Sequence, residues 1–191
     1  ARANVVKNAF AAHTGATFRE TTWHKGDARP SLPAYGVPVS FPLRIGNWMA
    51  ANGGHLGFSP VLPPERAAIE AQVTRSAEMF RRANFDFYCN ITLGERHVNV
   101  VNMLAYDRGD AAMTARADTL FRELVADART RGYGEYRSHI TYMDDIAATY
   151  DFNNSALQRL NEKVKDLLDP HGIIAPGKQG IWPARYREAR A

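Results

Sequence analysis

A phenol hydroxyl and a guanidinium sit side by side at Tyr136 and Arg137, inside the run Gly132-Tyr133-Gly134-Glu135-Tyr136-Arg137-Ser138-His139. Such a pair can hold an anionic oxygen on a planar ring, because the guanidinium supplies a fixed fork of donors and the phenol one more. Keeping a bound phenol as its phenolate at neutral pH takes about three pKa units, or ~4 kcal/mol. Two charge-assisted hydrogen bonds at roughly 1.5 to 3 kcal/mol each can supply that. Adjacent side chains of a strand point to opposite faces, so both groups reach one ligand only where the backbone bends, which Gly132 and Gly134 permit. The dipeptide alone also suits a buried tyrosine with an arginine paired on the other face.

His55 lies in Gly53-Gly54-His55-Leu56-Gly57-Phe58-Ser59-Pro60, where glycines on both sides let a planar group approach the imidazole. A neutral imidazole can serve as base, metal ligand or nucleophile, and a structural histidine fits the same run. The remaining histidines, His13, His24, His97, His139 and His171, show no HxxxH-type spacing, so no metal site is expected. Over Phe85 to Leu93 strict alternation puts Phe85, Phe87, Cys89 and Ile91 on one face and Asp86, Tyr88, Asn90 and Thr92 on the other. One face is core; the second lines a cavity or meets solvent. Lys178, in Pro176-Gly177-Lys178-Gln179-Gly180, resembles an anion-binding turn without the GxxxxGK[ST] spacing of a phosphate loop. Around it, Asp169 to Pro183 is rich in turn residues and ends near Trp182 with no strand or helix period, a tail shaped for something bound.

The elements that must position these groups follow from periodicity. Breakers dominate residues 1 to about 50 (Gly15, Gly26, Pro30, Pro33, Gly36, Pro38, Pro42, Gly46), which predicts extended loop with short strands. His55 to Leu62 reads as a strand. Pro63-Pro64 and Glu65 open a helix with Ile69, Val73, Ala77 and Phe80 at helical spacing. Phe85 to Leu93 and Arg96 to Tyr106 read as strands joined at Gly94-Glu95. Asp110 opens a helix carrying Met113, Ala117, Leu120, Phe121, Leu124 and Val125 along one side. After Gly132 come a strand-like segment through Thr141, a short helix near Asp144 to Tyr150, and a helix from Ser155 to Leu168. Leu157, Leu160, Val164, Leu167 and Leu168 form that last helix's expected buried stripe, with Asn153-Asn154-Ser155 as caps. The order predicts an α+β fold, an antiparallel sheet with helices on one face, with a break at Gly132 before a C-terminal helical and turn segment.

The 191 residues, 45% of them hydrophobic, suffice for a globular core and exclude a disordered or fibrous chain. The net charge of +4 comes mostly from arginines scattered singly or in pairs, with no block of like charge. That argues against a nucleic-acid or membrane surface. Cys89 is the sole cysteine, so no internal disulfide forms, and a reducing, cytoplasmic setting fits. No apolar run approaches the ~18 residues of a membrane span, and no charged-then-apolar leader opens the chain. The start at Ala1, inside polar sequence, suggests a cleaved or split product.

Four segments in this order, GGHLGFSPV (Gly53 to Val61), GYGEYRSH (Gly132 to His139), YDFNNSALQRLNE (Tyr150 to Glu162) and LDPHGIIAPGKQGIWP (Leu168 to Pro183), resemble the C-terminal portion of the vanillyl-alcohol oxidase and p-cresol methylhydroxylase flavoprotein family. The likeness covers roughly Gly36 to Tyr186 and is strongest to the bacterial eugenol and vanillyl alcohol oxidases. It implies a substrate cap through residue 132, with residues 133–191 completing an FAD-binding domain. His55 stands where the oxidases carry the histidine bonded to the flavin 8α-methyl carbon, implying covalent FAD. Tyr136 and Arg137 stand where the family binds the phenolate oxygen, and Gly57, Phe87 and Asn90 fall at positions lining the substrate cavity. Lys178 joins His55 and Arg137 as a cofactor-side residue.

The implied reaction takes a hydride from a para-substituted phenol, by way of a quinone methide, with dioxygen reduced to hydrogen peroxide. The implied partners are a small phenolic substrate, dioxygen, an N-terminal FAD-binding half and further copies in a homodimer or larger homo-oligomer. The segment Arg29 to Asn52 departs from the family pattern, leaving the cap entrance and substrate size open. A cytochrome-coupled 4-alkylphenol hydroxylase is the enzymatic alternative, disfavoured by His55 because the p-cresol enzymes attach flavin through a tyrosine elsewhere. A non-catalytic split subunit is the other.

Overall fold

A computed structural model describes residues 2–11, 13–15 and 52–187. The chain divides into two compact units, residues 1–40 and 41–191. In the first, α1 spans Arg2–Ala11, which corrects the expectation of extended loop there. That stretch holds no glycine or proline and three alanines after Ala1, and the breakers begin only at Gly15. The predicted loops and short strands of 16–51 lie outside the described residues.

The second unit carries the α+β architecture expected from the sequence. β4 (Val98–Asp107) is the central strand, and β1 (Gly53–Phe58), β2 (Val61–Leu62) and β3 (Cys89–Leu93) all pair with it antiparallel. Phe58 and Cys89 both face Asn102, so β1 and β3 flank it on opposite edges. The long strand expected from His55 to Leu62 is broken at Ser59-Pro60, because proline has no amide to give a ladder. The strand expected from Phe85 begins at Cys89, since Phe85 and Phe87 are drawn instead onto the helical core.

Helices α2 (Arg66–Arg82) and α3 (Ala111–Thr130) cover one face of the sheet. Asp110 caps α3 by accepting from the Met113 amide at 2.9 Å. The buried face of α3 is the stripe read from its period, Ala117, Leu120, Phe121, Leu124 and Val125, with Met113 at its start only partly buried, joined by Leu56, Phe58, Phe80 and Leu104 from the layers it meets. Each of the leucine, valine and phenylalanine side chains contributes about 1.5–3 kcal/mol through burial. The segment after Gly132 enters this same core through Tyr142 and Ile146. Tyr142 stacks on Phe121 with centroids 4.2 Å apart and donates to Asp118 at 2.8 Å.

The strand-like segment expected through Thr141 is a single bridge at Glu135 followed by bends and a 3-10 turn at Ile140–Tyr142. It leads into α4 (Met143–Ala147). α5 (Phe152–Leu168) carries Asn153, Asn154 and Ser155 in left-handed conformation, φ between 49° and 55°. The three residues therefore do not cap the helix as expected. They form a left-handed entry, a conformation asparagine tolerates better than most non-glycine residues. The stripe Leu157, Leu160, Val164, Leu167, Leu168 is exposed, contrary to its expected burial, because no other described element packs over it. A last turn, α6 (Ala184–Arg187), follows the tail. No helix among the described residues is long and apolar enough to cross a membrane.

Candidate functional site

The run Gly134 to Arg137 is docked onto the bend between β1 and β2. The Tyr136 amide donates to the Ser59 carbonyl at 3.0 Å, and the Val61 amide to the Gly134 carbonyl at 2.9 Å. Pro60 and Glu135 form an isolated antiparallel bridge between these bonds. Glycine is needed at 134 because a Cβ there would stand 2.8 Å from the Tyr150 ring, whose hydroxyl donates to the Glu135 carbonyl at 2.5 Å. The bend that the tyrosine–arginine pair requires lies at Tyr136 and Arg137 themselves, two and three residues past Gly134. There the Arg137 guanidinium reaches 5.5 Å from the Tyr136 ring centroid.

Tyr136 is 55% exposed and Arg137 is exposed, without an ion pair among the described residues. Both line a cavity of about 190 Å³ with Glu135, Ala147, Tyr150 and Gln158. That is smaller than the ~300–1,000 Å³ of a typical small-molecule pocket.

Glu135, absent from the sequence-derived candidates, is buried beneath the pair, with its Oε1 accepting the Ser59 amide at 2.5 Å. Desolvation pushes its carboxyl up to about 8, with the Ser59 amide and the Arg137 charge pulling the other way. The signal available in the sequence was its place between Gly134 and Tyr136. An acidic residue in an otherwise unremarkable turn gives no hint of burial.

His55 stands on the sheet face opposite the helices, paired with Ala105; Gly57, paired with Met103, shares that face, as does Asn90, paired with Val101. His55 and Asn90 are exposed. Desolvation, then the charges of Arg137 and His139, lowers the His55 pKa and favours the neutral imidazole. A Cβ at Gly57 would meet nothing within 4 Å. The face therefore offers a neutral imidazole beside open space, which suits a flat ring system laid against it.

Phe87 lies elsewhere, edge-on to Phe80 at 5.5 Å. It lines a wider hollow of about 1020 Å³, whose rim includes Met103 and Ala105, the strand partners of Gly57 and His55.

Lys178 is exposed in a 3-10 turn spanning Lys178–Gly180, away from the cavity wall. The tail around it owes much of its shape to its own contacts. The Trp182 indole donates to Asp144 at 2.8 Å, and its ring closes on Gly177, where a Cβ would stand 2.4 Å away. Ser138 donates to Gln179 at 2.9 Å, tying the tail to the run that holds Tyr136 and Arg137. Among the described residues no cluster of three or more His, Cys, Asp or Glu forms a metal-type constellation.

The chain belongs to the family of FAD linked oxidases, C-terminal domain, which it matches over residues 45–179. It is 28% identical over 146 residues to the 4-cresol dehydrogenase [hydroxylating] flavoprotein subunit of Pseudomonas putida, covering 76% of this chain and 27% of that protein. Among solved structures, a 4-ethylphenol oxidase from Gulosibacter chungangensis in complex with isoeugenol matches at 34% identity and TM-score 0.71, over 74% of this chain and 27% of that one. A substrate-bound p-cresol methylhydroxylase matches at 27% identity and TM-score 0.64, over 68% of this chain and 24% of that one. The chain thus spans about a quarter of the length of these relatives.

Proposed function

We propose that the chain is part of an FAD-dependent oxidase of para-substituted phenols, the vanillyl alcohol, eugenol and 4-alkylphenol type. Residues 1–132 belong to a cap over the substrate and 133–191 to the FAD-binding domain. The observation that carries the reading is the bend bringing Arg137 over Tyr136, on a segment hydrogen-bonded to the end of the strand bearing His55. The relatives' names, for 4-ethylphenol oxidation and 4-cresol dehydrogenation, point to the same substrate class.

In this reading Tyr136 and Arg137 grip the ring oxygen of the substrate and stabilise it as phenolate. The negative charge pushes toward the benzylic or allylic carbon, which loses hydride and leaves a quinone methide that water then attacks or that rearranges. FAD, when bound, would supply the two-electron acceptor, with dioxygen as the final acceptor and hydrogen peroxide as its product. Neutral His55 would be the attachment point for a covalent flavin, and Lys178 would give the cofactor side a second cation. Gly57 leaves room on His55's face, while Asn90 and Phe87 border the substrate. An N-terminal FAD-binding half, dioxygen and further copies in a homodimer or larger assembly are the proposed partners, in the cytoplasm.

Arg137→Ala in the flavin-loaded protein tests the clamp. The expected loss in kcat/KM for a 4-alkylphenol is about 3 kcal/mol, roughly 10²-fold, with the flavin absorbance intact. Unchanged turnover would instead favour a non-catalytic split subunit. The 4-cresol dehydrogenase relative favours a second reading, a cytochrome-coupled hydroxylase. Peroxide released per substrate in the same assay separates the two, and flavin that remains on the acid-denatured chain reports the His55 link.

A further inference from the structure

Glu135 has no part in the chemistry just described, yet it is the most deeply buried acid of the site. Its residue is 3% exposed. One carboxyl oxygen takes the Ser59 amide, and the other, Oε2, is buried without a hydrogen-bond partner among the described residues. No ion pair reaches it there. A carboxylate so enclosed would be an uncompensated buried charge, which folded chains avoid by protonation. Two residues on, the Arg137 guanidinium has no carboxylate on it among the described residues, although its charge is felt at Glu135.

We propose that Glu135 is a positioning residue of the anion clamp: as a neutral acid it pins the Tyr136–Arg137 bend to the turn between β1 and β2 while leaving the Arg137 charge free for an anionic ring oxygen. Its ionisation neutralises Arg137 from beneath and loosens that grip. The inference rests on the phenolate-clamp reading. The raised pKa of about 8 places the change just above neutral pH. Among the described residues that line this cavity Glu135 is the one acid. Tyr150 is held protonated by burial and then by Glu135 itself, and α4, α5 and the tail present Ala147, Ile146, Gln158, Asn161 and Gln179. Tyr136, Arg137, Leu157 and Ile181 complete the wall, and outside it His55, already favoured as neutral, feels the Arg137 and His139 charges.

The test is the affinity of the flavin-loaded protein for pentafluorophenol, a phenol already ionised at neutral pH, followed through the flavin spectrum as pH rises past Glu135's ionisation. The wild type should bind on the order of tenfold more weakly above that point. Glu135→Gln stays neutral and keeps an acceptor for Ser59, so its affinity should hold steady. A protonated-carboxyl infrared band, present in the wild type at neutral pH, should be missing from Glu135→Gln. Affinity in the wild type that is flat with pH, or a fall that Glu135→Gln shares, overturns the proposal. Should the Gln variant not fold, the wild-type profile decides alone. No binding at any pH removes the clamp itself, and this inference with it.

Discussion

α3 and α5 are both amphipathic, and the structure treats them oppositely. On α3, Leu120, Phe121 and Leu124 are each 1% exposed, sealed between the sheet, α2 and Tyr142. On α5, Leu160 is 59% exposed and Leu167 80%, although their spacing is equally regular. Periodicity states that a helix has a face to bury; it does not say what will bury it. The segments after α4 are instead fastened by polar ties. Lys165 pairs with Asp169 at 2.7 Å, Asp166 takes Arg187 at 2.5 Å and the Ala184 amide at 2.9 Å, and Asp144 holds the Trp182 indole. One region is held by apolar area, the other by directed bonds.

The largest effect should come from the sealed region. Phe121→Ala removes a ring stacked on Tyr142 in the core, and the expected destabilisation is about 3–5 kcal/mol in denaturant unfolding. A loss below about 1 kcal/mol would mean that α3 is not packed as described.

The tail should answer to acid. Asp169 is held down at about 2, first by Lys165 and then by the amides of Ile173 and Ile174. A carboxyl depressed in the folded state stabilises above its ordinary range, and that contribution is lost as pH falls toward 2. The Trp182 indole N–H resonance should therefore shift over this interval in the wild type, and Asp169→Asn should remove that part of the profile. An unchanged profile in the variant would show that the tie does not hold the tail.

What could be read in advance follows the same division. The sheet, α2 and α3 are legible because each pattern is met by an element of complementary period, even one 44 to 54 residues away as β1 is from β4; Asp110 even announces its helix by type. Strand ends were misplaced where packing overrode pattern, at Phe85 and Phe87, and where Pro60 interrupts the ladder. In the site, Tyr136 and Arg137 stood out because adjacency alone put two anion-binding groups together. Glu135 did not, because its significance lies in contacts with Ser59 and Tyr150, 76 and 15 residues away along the chain. Glycine type points to a bend at Gly132 and Gly134, whereas the bend lies at Tyr136 and Arg137 and Gly134 serves to admit the Tyr150 ring.

The smallest effect is expected on α5, and it sharpens the contrast most. Leucine and alanine are both strong helix formers, so Leu160→Ala changes apolar area with little change in helix propensity. In the 191-residue chain the exposed side chain has little contact to lose, and stability should move by no more than about 0.5 kcal/mol. A loss of about 2–5 kcal/mol, the range of a core leucine, would mean that this face is covered within the chain. The same substitution in a flavin-loaded assembly is then informative in its own right. A loss appearing only there would locate the cover for α5 on the added partner, and the difference between the two values would measure how much apolar area that partner removes from water.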